Sequence, residues 1–148
     1  MSSWDDYKQT MIGPASLWAA ARRNDLGELA RLLTEGAAID ARDHRGYSPL
    51  MLAAYLGHTE AFDFLLRAGA DANSVDLAGN SVLMGAAFKG HLPIVQLLLS
   101  AGADLTIRNQ AGMDARAFAT AFGRLEVITL LDRHVLGISD ERRASHGE

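Results

Sequence analysis

The sequence predicts an all-α solenoid of about four stacked helix–turn–helix units with short β-hairpin or loop fingers, and three observations predict it. The first is a period. Residues 43–75 slide onto 76–108 so that Gly46 falls on Gly79, Leu50 on Leu83, Ala53-Ala54 on Ala86-Ala87 and Gly57-His58 on Gly90-His91. Leu65, Leu66, Gly69, Ala70 and Asp71 fall on Leu98, Leu99, Gly102, Ala103 and Asp104, and self-similarity at about 33 residues marks a stacked array. The second is punctuation: glycines cut each copy into a shorter and a longer apolar segment. The third is the recurring alanine pair, small where two antiparallel helices and the next unit must approach closely.

A further shift reaches Gly112, Ala119, Gly123 and Leu131, and a backward one reaches Gly13, Leu17, Ala20, Ala21, Leu32, Leu33, Gly36 and Ala37. The chain therefore divides into a lead-in over residues 1–13, a worn first unit over 14–42, two strong units over 43–75 and 76–108, a worn last unit over 109–136, and a flexible tail over 137–148. Trp4, Tyr7, Met11 and Ile12 of the lead-in are suited to covering the apolar face of the first unit, since an end unit lacks a neighbour on one side.

In the first unit a helix is expected from Pro14 to Arg23, with Leu17, Trp18, Ala20 and Ala21 at helical spacing. Asn24-Asp25 then gives a turn and a cap before a return helix from Leu26 to about Glu35, which Gly36 closes. In the second unit Ser48 caps a short helix whose first residue, Pro49, lacks the N–H that would be orphaned there. Gly57 ends that helix. The return helix from Thr59 to Ala68 is expected to bury Phe62, Leu65 and Leu66, and Gly69 stops it. The polar run from Asp71 to Gly79 should turn outward as a two-stranded finger.

The third unit repeats this plan over Ser81–Lys89 and His91–Ala101, with Pro93 tolerated in a first turn. Gly85 stands where the second unit has Leu52; it is either a packing adjustment against a larger neighbour such as Phe118 or the opening of a pocket. The fourth unit places Asp132 where Leu66 and Leu99 stand, which suits a terminal unit with a polar outer face.

These residues resemble the ankyrin repeat. The second unit carries the family pattern at Asp43, Gly46, Pro49, Leu50, Ala53, Ala54, Gly57, His58, Leu65, Leu66, Gly69, Ala70, Asp71 and Asn73. Met51 and Met84 depart from it where the family has a His, and Arg116-Ala117 replace Leu-His in the last copy. The resemblance implies a small, bacterial-type ankyrin scaffold that binds other proteins, without chemistry of its own.

Bulk properties agree with a globular chain. Of 148 residues, 49% are hydrophobic and 22% charged, which is folded rather than disordered composition. A net charge of −4 disfavours nucleic-acid backbones and anionic membrane surfaces as partners of the whole chain. With no cysteine, disulfides and thiolate sites are excluded. The polar, acidic start and the lack of a long apolar run lead us to expect a soluble, cytoplasmic protein.

No residue set points to catalysis, a metal or a cofactor. His58 and His91 are in phase, but packed helices stand about 8–10 Å apart while two zinc ligands must each reach the ion at about 2 Å. The resemblance implies that such a His ties the inter-helix turn to neighbouring backbone. Asp43, Asp71, Asp76 and Asp104 lie in turns, where a carboxylate accepts nearby backbone N–H groups. No nucleophile elbow, P-loop or dinucleotide fingerprint is present. Met51 and Met84 either fill space under the fingers or touch a partner.

Partner contacts follow from the family's variable positions, which the resemblance places on a concave side formed by short helices and fingers. Here they are Arg22 and Arg23; Arg42, His44, Arg45, Tyr47, Tyr55 and Leu56; Val75, Leu77, Asn80, Phe88 and Lys89; Arg108, Gln110, Met113 and Phe122. Tyr47, Tyr55, Phe88 and Phe122 suggest an aromatic ladder among cations, a composition typical of interaction hot spots. Some of these rings could instead pack between fingers. The expectation is a monomer that binds a protein with an acidic surface, as an inhibitor or adaptor. Self-association through the same face, or a small ligand or substrate held near Gly85, are the alternatives.

Overall fold

The computed structural model describes residues 16–137. Among them eight helices follow in pairs: α1 (Leu17–Arg22) and α2 (Leu26–Thr34), α3 (Pro49–Leu56) and α4 (Thr59–Arg67), α5 (Val82–Lys89) and α6 (Leu92–Ser100), α7 (Ala115–Ala121) and α8 (Leu125–Val135). The covering role expected for residues 1–13 and the behaviour expected of 138–148 lie outside the described residues.

The four short helices and the first long one start at side-chain caps. Ser48 Oγ accepts the Met51 N–H at 3.2 Å, Ser81 Oγ that of Met84 at 3.1 Å, and Asp114 Oδ1 that of Ala117 at 2.8 Å. The first helix begins later than expected. Ser16 is its cap, accepting the Ala19 N–H at 3.1 Å, so Leu17 rather than Pro14 opens α1. Asp25 caps α2 through the Glu28 N–H at 3.1 Å. The short helices α3 and α5 end at Gly57 and Gly90, both with φ 76°, a left-handed turn that only glycine adopts without strain.

Ala20, Ala53, Ala86 and Ala119 form a column of fully buried methyl groups, one from each short helix. Their size lets the short helices approach more closely than the long helices do. Leu29, Phe62, Leu65, Ile94, Leu98, Val127 and Leu131 pack behind them as one core that runs from unit to unit. Leu66, expected in the core, is half-buried and packs against its edge.

The fingers are turns rather than hairpins. A single antiparallel bridge, Val75 with Ser81, is all the strand pairing found among the described residues. The reason is local: Asp43 Oδ1 accepts the N–H groups of Arg45 and Tyr47, and Asp76 Oδ1 those of Ala78 and Asn80. Asn109 Oδ1 does the same for Ala111 and Met113. Side chains thus take the donors that a ladder would have paired.

Successive units are also tied by polar contacts at matching positions. Leu77 N–H donates to Arg45 O at 3.2 Å and Gln110 N–H to Ala78 O at 3.0 Å, linking the fingers. Further in, Asp71 N–H donates to Asp40 Oδ1 at 2.9 Å and Asp104 N–H to Asn73 Oδ1 at 2.8 Å.

Candidate functional site

The short-helix side carries a groove of about 540 Å³ between the fingers and the short helices. Arg45, Tyr47 and Asn80 come from the fingers; Arg22, Tyr55 and Phe88 come from the helices. Leu52, Gly85 and Phe118, one from each of three successive short helices, line its base with Met51 and Met84.

The groove wall is aromatic because one helix position recurs. Tyr55 and Phe88 occupy it in α3 and α5, and their rings stack with centroids 6.3 Å apart and planes 14° apart. Phe122 meets Phe88 edge-on at 4.5 Å, and Phe118 meets it edge-on at 6.4 Å. Lys89 sets its ammonium 4.8 Å from the centre of the Tyr55 ring. Tyr55 and Phe122 keep 46% and 49% of their surface exposed, so the row is packed on itself but uncovered above.

Tyr47 stands apart from that row. It is half-buried against the core, and its carbonyl accepts the Trp18 indole N–H at 2.8 Å. Other expected contact residues are engaged within the fold as well. Asn80 donates to Asp76 Oδ2 at 3.2 Å and accepts from Asn109 Nδ2 at 2.8 Å, and Gln110 donates to the Leu77 carbonyl at 3.0 Å. Val75 and Met113 are half-buried, and Phe88 is half-buried within the ring cluster. Arg22, Arg23, Arg42, His44, Arg45, Leu56, Leu77, Lys89 and Arg108 are exposed.

Met51 and Met84 are 8% and 1% exposed, which favours filling over contact. The Ser81 N–H approaches Met84 Sδ at 3.4 Å, so the thioether stands where a capping box would place a polar side chain. Gly85, by contrast, opens outward. A Cβ built there would meet only Tyr55 Cδ2, at 4.0 Å.

The two histidines hold units together. His58 Nε2 lies 3.0 Å from Arg22 O, and His91 Nε2 lies 3.2 Å from Tyr55 O. A carbonyl only accepts, so Nε2 carries the proton in each ring. Arg124 takes the same place in the last unit, donating from Nε to Phe88 O at 3.0 Å.

Charge is divided between the two sides. Arg31 pairs with Glu28 and Glu35, Arg67 with Asp63, and Arg116 with Asp132. Among the described residues Arg22, Arg42 and Arg45 have no carboxylate within ion-pair distance. The acid that lines the groove, Asp76, accepts from two backbone N–H groups and the Asn80 amide. The groove is therefore apolar along its base, and its charged lining is two cations, Arg22 and Arg45, against one acid, Asp76.

Leu52 and Phe118 were not among the contact positions expected from the sequence, and Gly85 was expected only as a packing adjustment or as the opening of a small-ligand pocket. Their signal was present: they share one register position in three copies, with Ala19 in the first, so the lining of the groove changes in size from unit to unit.

A family model described as ankyrin repeats, in three copies, matches residues 17–109. Among curated proteins, ankyrin repeat domain-containing protein 29 of Homo sapiens is 44% identical over 54 residues, which covers 36% of this chain and 18% of that protein. The similarity thus spans less than a fifth of that relative's length. No helix among the described residues is long and apolar enough to cross a membrane.

Proposed function

The chain belongs to the ankyrin-repeat family, and from that premise we propose that it is a non-enzymatic scaffold that binds a partner protein through its concave groove, as an inhibitor or adaptor. Ankyrin repeats are in general protein–protein interaction modules. The observation that carries the reading here is the row Tyr55, Phe88 and Phe122, in mutual contact across successive units yet open to solvent at both ends. Folding alone gives no reason to leave such rings uncovered, and aromatic side chains flanked by arginine supply most of the energy in many protein interfaces.

Binding on this reading needs no cofactor and no rearrangement. The helices that carry the groove are fixed by the alanine column, so little ordering entropy is lost on association. Arg22 and Arg45 outnumber the one acid that lines the groove, which favours a partner with an acidic surface; on this reading the protein acts as a monomer in the cytoplasm.

Affinity capture from native cells with the wild-type chain, repeated with Arg45→Glu plus Tyr55→Ala, tests this. The expected result is a partner lost from the double variant while helical circular dichroism is unchanged. A partner retained by the double variant would mean that the groove is not the binding face. Sedimentation over a range of concentrations checks the monomer: a mass that doubles, and that reverts in the double variant, would assign the face to self-association.

A further inference from the structure

We propose that the groove recognises a linear acidic segment of its partner that seats one bulky apolar side chain in the notch above Gly85 and lays its carboxylates toward Arg22 and Arg45. This deepens the functional reading above and rests on it.

The notch is the feature that folding leaves unexplained. Gly85 lies inside α5, and it is not among the glycines with positive φ, so its backbone conformation is open to any residue. Nothing crowds it either, since an added Cβ would find open space apart from Tyr55 at 4.0 Å. A glycine inside a helix is nevertheless less stable there than an alanine. The neighbouring units put Leu52 and Phe118 at the same register position. Removing one side chain from that row leaves a gap between a leucine and a phenylalanine, roofed on one side by Tyr55 and Phe88. The groups around such a gap are apolar.

The surroundings favour a peptide over a small polar molecule. The residues around the notch, Leu52, Tyr55, Phe88 and Phe118, offer one side-chain polar atom between them, the Tyr55 hydroxyl, so there is no convergent polar set with which to orient a small substrate. The groove is instead open along its length, with Arg22 and Arg45 in its lining. Two helix spacings separate α1 from α5, about 16–20 Å at 8–10 Å for each packed pair. An extended chain rises about 3.3 Å per residue. Allowing for the reach of Arg22, and for Arg45 lying nearer, the carboxylate belongs about three to six residues from the apolar side chain.

The test uses a displayed library of random twelve-residue peptides selected on the full chain, followed by affinity measurement on variants. Enriched peptides are expected to share one Phe, Leu, Met or Trp with Asp or Glu at that spacing. Gly85→Leu, which fills the notch with the residue found at the matching position of the second unit, should weaken them about tenfold or more. Gly85→Ala should weaken them less while raising the thermal midpoint, which separates filling from misfolding. Arg22→Glu with Arg45→Glu should also weaken them, and added salt should reduce that effect. Peptides that bind Gly85→Leu as well as the wild type but fail on Tyr55→Ala would overturn the notch and leave the groove standing. Peptides indifferent to all of these variants would overturn both. Failure to enrich any peptide, with a protein partner still captured through the groove, would overturn the linear segment alone.

Discussion

Asn24 Oδ1 accepts the backbone N–H of Ala61 at 3.0 Å, so a residue of the first unit caps the long helix of the second. The helix needs it, because its own cap residue, His58, makes no side-chain cap hydrogen bond. Asn24 also donates to Glu60 Oε2 at 3.2 Å. Its backbone lies at φ 56°, a conformation that asparagine tolerates and alanine resists.

Two replacements of Asn24 should therefore differ. Asn24→Gly loses the cap but relaxes the backbone, a net loss of about 0.5–1 kcal/mol; Asn24→Ala loses the cap and strains the backbone, about 1–3 kcal/mol in all. Urea unfolding of both variants checks this, and equal midpoints would show that the left-handed turn adds nothing.

Gly57 and Gly85 should respond to alanine with opposite signs. At Gly57, with φ 76°, a Cβ would come within 2.7 Å of His91 Cε1, in the ring that clasps the Tyr55 carbonyl. Gly57→Ala is expected to destabilise by about 1–3 kcal/mol. Gly85→Ala gains helix propensity in open space and should stabilise by about 0.5–1 kcal/mol. Thermal melts of the two variants against the wild type measure both shifts.

Asp132 and Arg116 make the pH prediction. The guanidinium lies 2.9 Å from the carboxylate, and its hydrogen bond holds the Asp132 carboxyl below its usual range. A folded pKa below the unfolded one means that the contribution is present above the ordinary aspartate value, about 3.9, and fades as pH falls through the lower folded value. Asp132→Asn should then be less stable than the wild type near neutrality, with the gap closing below about pH 4. Both groups are exposed, so the effect is small and should shrink in salt. Denaturant midpoints at neutral and acidic pH, with and without salt, decide it.

The repeat itself was legible because its signals are local. Glycine stops, serine caps and the alanine pair act through a residue's own backbone or size, so Gly57, Ser48 and Ala53 announce the helices and their spacing. Relations between units were not legible in the same way. Nothing about Asn24 alone shows that it reaches Ala61, and nothing about Tyr47 shows that it leaves the aromatic row to receive Trp18. Arg116 and Asp132 were each visible as departures from the repeat, but their pairing depends on how α7 and α8 cross. The surroundings of Gly85 followed the same rule: register shows a missing side chain, and only the packing of the neighbouring units shows that the space is open to the groove.

Each finger is closed by its own Asp or Asn, so its shape is guaranteed by a single residue at its root. His44 and Leu77 at the tips carry no part of that closure. Mutational drift at such tips is insulated from folding. A lineage built on this chain is thereby free to trade one binding preference for another in single steps, with no intermediate that fails to fold.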